Sequence, residues 1–228
     1  MKLKNEKEGL QLFCAEKDWI RKWWEKPFVN PLDENRIWAT EGHIFIRVDN
    51  NLTRGKYDSH EQLLPELDGE ECDITIPFSA IEEAMKELPM IAETRIEKGD
   101  EIECPECEGT GEVTWMYEDE NGNEYEMDAD CPVCEGTGRT DEEKEVPTGR
   151  MIPDKNTSVV IAGIMFEAKF IKNVIDGLRL LGFDSIRQVR RTEEGANVFE
   201  VTAGVEVWIA PVSPFADLSK AKTVEVCL

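Results

Sequence analysis

Histidine is scarce: the chain has only His43 and His60. Neither stands in a Ser/His/Asp or Cys/His arrangement that would activate a nucleophile. There is no Gly-x-x-x-x-Gly-Lys loop to cradle phosphates and no Gly-x-Gly-x-x-Gly after a strand. Carboxylates are plentiful, but they come in runs such as Asp141-Glu142-Glu143, and no pair is singled out for acid–base work. These absences argue for a non-enzymatic protein. No apolar run approaches the ~20 residues of a membrane helix. The opening MKLKNEKEGLQLF is charged and lacks a secretory apolar stretch. The expectation is a cytoplasmic protein with no membrane partner.

Positive charge is missing from the middle. Residues 61–150 hold 6 Lys and Arg against 29 Asp and Glu, which accounts for the whole formal charge of −23. Such a balance opposes non-specific nucleic-acid binding, although the two near-neutral ends could present basic faces locally. Seven cysteines is an odd number, unlike a secreted disulfide framework. Cys14, Cys72 and Cys227 stand alone and read as buried free thiols.

The hydrophobic pattern predicts an α+β fold. Residues 10–14 read as a strand and 15–26 as a helix, with Trp19, Ile20, Trp23 and Trp24 on its core side. RIWATE and HIFIRV form a hairpin at Gly42, and 49–71 is a loop. CDITIP is a strand running into a helix at about 79–88, with Ser79 and Glu82 as a capping pair. Residues 94–103 form another strand. After TDEEKEVPTG, read as a charged linker, come the strand SVVIAGIMF and an amphipathic helix over 167–181 capped by Gly182. SIRQVRR, NVFEVTA and VEVWIAPV complete the chain as strands. The expected divisions are an α+β region over 1–103, a module over 104–138, a linker over 139–157 and a second α+β region over 158–228.

The module carries the sharpest signal. C-P-E-C-E-G-T-G at 104–111 and C-P-V-C-E-G-T-G at 131–138 repeat the unit C-x-x-C-x-G-x-G. Each pair can place two thiolates on one metal from a single tight turn. Two turns give a closed four-sulfur shell, which assigns Cys104, Cys107, Cys131 and Cys134 to one structural Zn2+. Asn121-Gly122 between strand-like EVTWMY and EYEMD predicts the hairpin that brings the knuckles together. A redox dithiol would sit at a helix start, whereas each pair here runs into Gly-Thr-Gly; an iron site is the other alternative. Trp115, the tryptophan of this acidic hairpin, is the expected protein-contact residue.

The repeated unit resembles the cysteine-rich domain of DnaJ-type (Hsp40) chaperones. Those carry four units and a J-domain. With two units and no J-domain here, chaperone activity is not implied. The flanking regions resemble DNA sliding clamps, especially those of phage and prophage. Three stretches carry the likeness: Ala39-Thr40-Glu41-Gly42-His43 at a strand-to-strand turn, ITIPFSAIEEAMKELP as strand, Pro and short helix, and GVEVWIAPV as a terminal strand whose Ala210-Pro211 replaces Met-Pro. The resemblance implies strand-helix-antiparallel-strands units with the zinc hairpin inserted, and a homo-oligomeric ring. It also implies helices that present cations to DNA phosphates and a replication protein as partner. The DNA-binding residues it implies are Lys17, Arg21 and Lys22 on the first helix and Lys169, Lys172 and Arg179 on the last, with Arg187, Arg190 and Arg191 in the strand that follows. Glu82, Glu83 and Glu87 on the middle helix oppose this. The expected function is a clamp-like replication or repair accessory factor whose zinc module contacts protein. The alternatives are a zinc-dependent adaptor without DNA contact and, more distantly, an enzyme.

Overall fold

The computed structural model describes residues 2–16, 21–63, 69–213 and 222–227. Two compact units divide the chain: a body of Met1–Ile91 with Met151–Leu228, and a module of Ala92–Arg150. The chain begins with helix α1 (Glu6–Gln11) and strands β1 (Phe28–Asn30), β2 (Arg36–Thr40), β3 (Ile44–Val48), β4 (Asp58–Ser59) and β5 (Glu70–Pro77). β5 runs directly into helix α2 (Phe78–Met85). Next come β6 (Met90–Glu103), β7 (Glu112–Glu118), β8 (Glu124–Asp130) and β9 (Arg139–Pro153). β10 (Thr157–Ile161) and β11 (Ile164–Glu167) lead into helix α3 (Ala168–Leu181). β12 (Ser185–Arg191), β13 (Asn197–Thr202), β14 (Val205–Ile209) and β15 (Lys222–Glu225) complete the described elements.

In the body, an eight-stranded sheet has the order β4-β1-β2-β3-β14-β13-β12-β5, and a three-stranded sheet has the order β11-β10-β15. The alternation of side chains along the large sheet decides where each core sits. Ile37 and Ala39 of β2, Ile44, Ile46 and Val48 of β3, Phe199 of β13, and Val205, Val207 and Ile209 of β14 join the main core, with Ile171, Val174 and Leu178 of α3. The residues between them, Trp38, Phe45, Val198 and Trp208, face the other way and build a second cluster with Trp24 and Phe28. These central strands are therefore apolar on both faces.

α3 forms as its pattern predicts. Phe170, Ile171, Val174, Ile175, Leu178 and Leu181 are all buried. Gly182 closes it at φ 102°, where Gly182 N–H donates to the Arg179 carbonyl and Phe183 N–H to that of Leu178. α1 crosses α3 at two glycines. A Cβ on Gly9 would lie 2.7 Å from Leu181 Cδ2, and one on Gly177 would lie 2.7 Å from Phe13 Cε2. Only glycine permits this approach.

The N-terminal expectations need correction. Residues 10–14 are the end of α1 and a turn rather than a strand, because Leu10 and Phe13, three apart, both bury fully beside α3. Of the helix expected over 15–26, Lys22–Glu25 forms a short 3-10 turn, and residues 17–20 lie outside the described residues. Trp24 is drawn into the second cluster, while Trp23 stacks on His60 with ring centroids 4.0 Å apart. α2 begins one residue earlier than expected, with Pro77 at its N-cap and no side-chain cap, so Ser79 lies inside the helix.

The module is wider than the cysteine repeat that marks it. β6 pairs with β9. Glu93 binds Arg150 at 3.0 Å, Lys98 binds Asp141 at 2.5 Å and Glu101 meets Arg139 at 3.3 Å, so the two strands run in opposite directions. The stretch read as a linker, 139–157, is thus strand β9 through Pro153. Its charges alternate between exposed positions and cross-strand partners, a ribbon pattern easily mistaken for a solvated linker. β7 and β8 pair antiparallel from Glu112↔Asp130 to Glu118↔Glu124. Asp119 fixes their turn, accepting hydrogen bonds at 2.9 Å from the backbone N–H of both Asn121 and Asn123. The amide and N–H of Asn123 in particular hold the Asp119 carboxyl below its ordinary range.

Candidate functional site

The two knuckles are near-duplicates. Glu108 and Glu135 both stand at φ 51°, Gly109 and Gly136 at φ 82° and 81°, and Gly111 and Gly138 at φ 83° and 74°. In each, the second cysteine's carbonyl accepts a threonine hydroxyl at 2.7 Å, from Thr110 to Cys107 and from Thr137 to Cys134. The loops then lock reciprocally: Cys104 N–H donates to the Gly138 carbonyl at 2.9 Å, and Cys131 N–H to that of Gly111 at 2.8 Å. A Cβ on Gly111 would stand 2.4 Å from the Gly136 oxygen, and one on Gly138 would stand 2.3 Å from the Gly109 oxygen. The glycines are what let the two backbones close on each other.

All four cysteines are buried, and their sulfurs lie within 4.8 Å of one another. Cys104 and Cys131 Sγ are 3.8 Å apart, and Cys107 and Cys134 Sγ are 3.7 Å apart. A tetrahedron with metal–sulfur bonds of about 2.3 Å has edges of about 3.8 Å. The site therefore fits a four-coordinate divalent ion, and its spacing is far from that of a disulfide. Gly111 N–H and Gly138 N–H donate to Cys107 Sγ at 3.3 Å and Cys134 Sγ at 3.2 Å, which supports negative charge on those sulfurs. Burial pushes the Cys107 thiol up, but the Gly111 N–H and the neighbouring thiols bring it down to about 7; burial drives Cys131 up to about 11. The closed shell leaves no coordination position for a substrate.

Trp115 lies exposed on β7. Of the lone cysteines, only part of the reading stands: Cys14 and Cys72 are half-buried, whereas Cys227 is exposed at the end of the small sheet.

The basic residues are dispersed, and most have acidic neighbours. Lys17 lies outside the described residues. Arg21 stacks its guanidinium 3.6 Å over the Trp24 ring, and Lys22 is exposed. On α3, Lys169 stands 3.6 Å from Glu167, Lys172 binds both Asp176 oxygens at 2.6 Å, and Arg179 reaches Glu82 on α2 at 2.6 Å. Arg187 contacts Glu200 and Asp73, Arg190 is 3.9 Å from Glu71, and Arg191 is 3.6 Å from Glu70. Asp176 and Glu167 are local partners, legible along α3 itself, whereas Glu82, Glu200, Asp73, Glu71 and Glu70 come from other elements and are invisible to a reading of one helix face.

Two cavities in the body were not anticipated. One, of about 220 Å³, is walled by Trp24, Trp38, Phe45 and Trp208 and reaches His43 and Ala210. His43 also stacks on Phe170 at 4.7 Å. The sequence signal was the recurrence of tryptophan at strand positions facing away from the main core. The other, of about 610 Å³, lies between α1 and the segment 54–58. Glu6 holds that segment by accepting hydrogen bonds from Tyr57 Oη and from the backbone N–H of Arg54 at 2.7 Å and Gly55 at 2.9 Å. Lys7, Lys26, Arg54 and Lys56 also line it, and among the described residues no ion pair engages these four.

Among the described residues, no helix is long and apolar enough to cross a membrane. No protein-family model matches the chain, and no curated protein matches it. Solved structures to which it is similar are bacterial DNA sliding clamps. The Caulobacter crescentus beta sliding clamp is 10% identical with a TM-score of 0.42, the match covering 92% of this chain and 63% of that one. The Pseudomonas aeruginosa DNA polymerase sliding clamp is 8% identical with a TM-score of 0.43, covering 92% and 64%. The DnaN sliding clamp of Bartonella birtlesii, solved bound to griselimycin, is 12% identical with a TM-score of 0.41, covering 92% and 65%. The chain thus spans less than two thirds of the length of these proteins.

Proposed function

We propose that the protein is a non-enzymatic, clamp-like DNA replication or repair accessory factor of the cytoplasm, carrying one structural zinc ion in a module that makes protein contact. The observation that carries the body's part is the meeting of two sequence motifs far apart in the chain. Ala210 N–H donates to the His43 carbonyl at 2.8 Å. The Ala39–His43 turn and the end of GVEVWIAPV therefore share one aromatic-walled cavity, whose size suits an apolar side chain of a partner protein. The third motif also has its expected context, since β5 ends at Pro77 and passes directly into α2. For the module, a buried all-sulfur tetrahedral shell is the donor set that selects zinc over oxygen-seeking ions.

The test has three independent readouts on the full chain. Elemental analysis should return one equivalent of zinc per chain; no metal, or iron, removes the zinc assignment. Duplex DNA should bind at low salt, with affinity falling steeply as salt rises, and light scattering should show a closed homo-oligomer.

A second reading, a zinc-dependent adaptor without DNA contact, is favoured by the ion pairs on Lys169, Lys172, Arg179, Arg187, Arg190 and Arg191. A DNA phosphate would have to displace Asp176, Glu82 or Glu200 to reach those cations. A monomer that fails to bind DNA at 20 mM salt, about as weak a screening as is practical, would establish that reading in place of the first.

A further inference from the structure

The β7–β8 hairpin sorts its side chains sharply by face. Val113↔Ala129, Trp115↔Met127 and Tyr117↔Tyr125 are paired in register, so by the period of two all six point to one side. The other side carries Glu112↔Asp130, Thr114↔Asp128, Met116↔Glu126 and Glu118↔Glu124. Four large residues of the first face are open to solvent: Trp115 at 53%, Tyr117 at 65%, Tyr125 at 55% and Met127 at 64%. The Tyr117 and Tyr125 rings stack on each other at 6.3 Å and cover neither Trp115 nor Met127.

Both faces depart from what stability alone would select. Like charges directly opposite each other weaken a strand pair, and the hairpin has them at both ends. A Trp–Met–Tyr–Tyr face left in water forgoes its burial energy. Residues 112–130 carry eight carboxylates and no Lys or Arg. The same sign of charge repels nucleic acid and anionic lipid. A second copy would bring sixteen carboxylates together without one cation to offset them, which disfavours self-association. The partner that satisfies both faces lays apolar side chains on the aromatic stripe and reaches Lys or Arg around the edges of this two-stranded ribbon to the carboxylates of the other face.

Building on the protein-contact role assigned to the module, we infer that this hairpin is the docking surface, and that its partner is a protein segment mixing apolar and basic side chains. The aromatic and Met side chains supply the contact area and the carboxylates supply steering and selectivity.

The experiment uses the full-length, metal-loaded protein and three synthetic peptides: one alternating Lys with Ile and Phe, one with Glu for every Lys, and one with Ser for every apolar residue. Calorimetry and the indole N–H resonance of Trp115 report binding. The basic–apolar peptide should bind, shift that resonance, and lose about tenfold or more in affinity with Trp115→Ser/Met127→Ser. The acidic peptide should not bind, and the Ser peptide should be at least about tenfold weaker. Equal binding of both cationic peptides, or indifference to the double variant, would reduce the effect to bulk charge and overturn the inference. So would a dimer in sedimentation that Trp115→Ser/Met127→Ser dissolves, since the occupant would then be a second copy. Metal content of the parent separates the two levels. One equivalent of metal with no peptide binding defeats this inference alone, whereas absent metal with a collapsed hairpin spectrum defeats the module reading itself.

Discussion

Arg179 on α3 donates to Glu82 on α2 at 2.6 Å, joining two helices whose pairing residues lie 97 positions apart. With α1 packed against α3 at Gly9 and Gly177, α3 has a helix neighbour on more than one side. The pair also turns an apparent cation of an exposed helix face into one half of a neutral couple.

Glu82→Gln and Asp176→Asn should therefore liberate positive charge on α3 at little cost. The Arg179–Glu82 pair is exposed and the Lys172–Asp176 pair half-buried, so the first change should alter stability by less than about 1 kcal/mol and the second by about 1 kcal/mol. If α3 meets DNA, the double variant binds duplex DNA at least about threefold more tightly at 50 mM salt, with a steeper dependence on salt. Unchanged affinity would show that α3 faces something else, and alanine at Lys26 and Lys56 would then test the cations around the larger cavity.

Removing the proposed zinc ion should unfold the module and spare the body. Structural zinc in small peptides contributes roughly 10–16 kcal/mol of apparent folding free energy, and the module's other buried side chains are few, with Val113 alone packed against the sulfurs. Cys131→Ser, or a strong chelator, should erase the amide signals of Ala92–Arg150 in heteronuclear NMR. Signals from the body core around Leu10, Ile46 and Leu178 should persist.

Gly138→Ala should weaken metal retention without touching a ligand. The new Cβ would meet the Gly109 oxygen at 2.3 Å with φ at 74°. A strain of about 2 kcal/mol corresponds to about 30-fold faster or more complete loss to a competing chelator. Gly149→Ala is the control. It shares a positive φ of 82°, but its Cβ would meet nothing within 4 Å, so only the backbone term applies.

Gly177→Ala should lower the melting temperature of the body. Its Cβ would press on Phe13 Cε2 at 2.7 Å and on the Gly9 carbonyl at 2.9 Å. Overpacking of this kind costs about 1–3 kcal/mol. A shift confined to the body transition, with metal content unchanged, would localise the effect to the α1–α3 contact.

The Glu6–Tyr57 bond should make a small, acid-sensitive contribution. Burial pushes the Glu6 carboxyl up, but the Tyr57 hydroxyl and the Gly55 and Arg54 N–H groups outweigh it and hold the group below its ordinary value. A folded-state value below the unfolded one adds stability above the unfolded carboxylate range, near pH 4.3, and that contribution disappears as pH falls through the folded value. Tyr57→Phe should therefore destabilise the body at pH 7 in urea unfolding. The gap from the parent should narrow below about pH 4. A gap independent of pH would assign the loss to packing instead.

The legible parts of this protein were those governed by local chemistry. Two C-x-x-C-x-G-x-G units with Asn121-Gly122 between them determined four convergent sulfurs and the hairpin, because turn conformation and ligand spacing are properties of a few adjacent residues. The α3 pattern and Gly182 likewise determined a helix and its end. β5 into α2 was readable from a strand run followed by Pro77, although the cap itself was misassigned.

What required tertiary structure was everything settled by a distant partner. Leu10 and Phe13 form the edge of a helix rather than a strand because α3 offers Gly177 to pack against. The segment 139–153 is a strand because β6 supplies its hydrogen bonds and the counter-charges for Arg139 and Arg150. The cations at Arg179 and Arg187 are neutralised by carboxylates of other elements, Glu82 and Glu200, that no single-segment pattern can place beside them. Local spacing encodes a turn or a helix face, but burial and ion pairing are relations between segments, and those are decided only once the chain has folded.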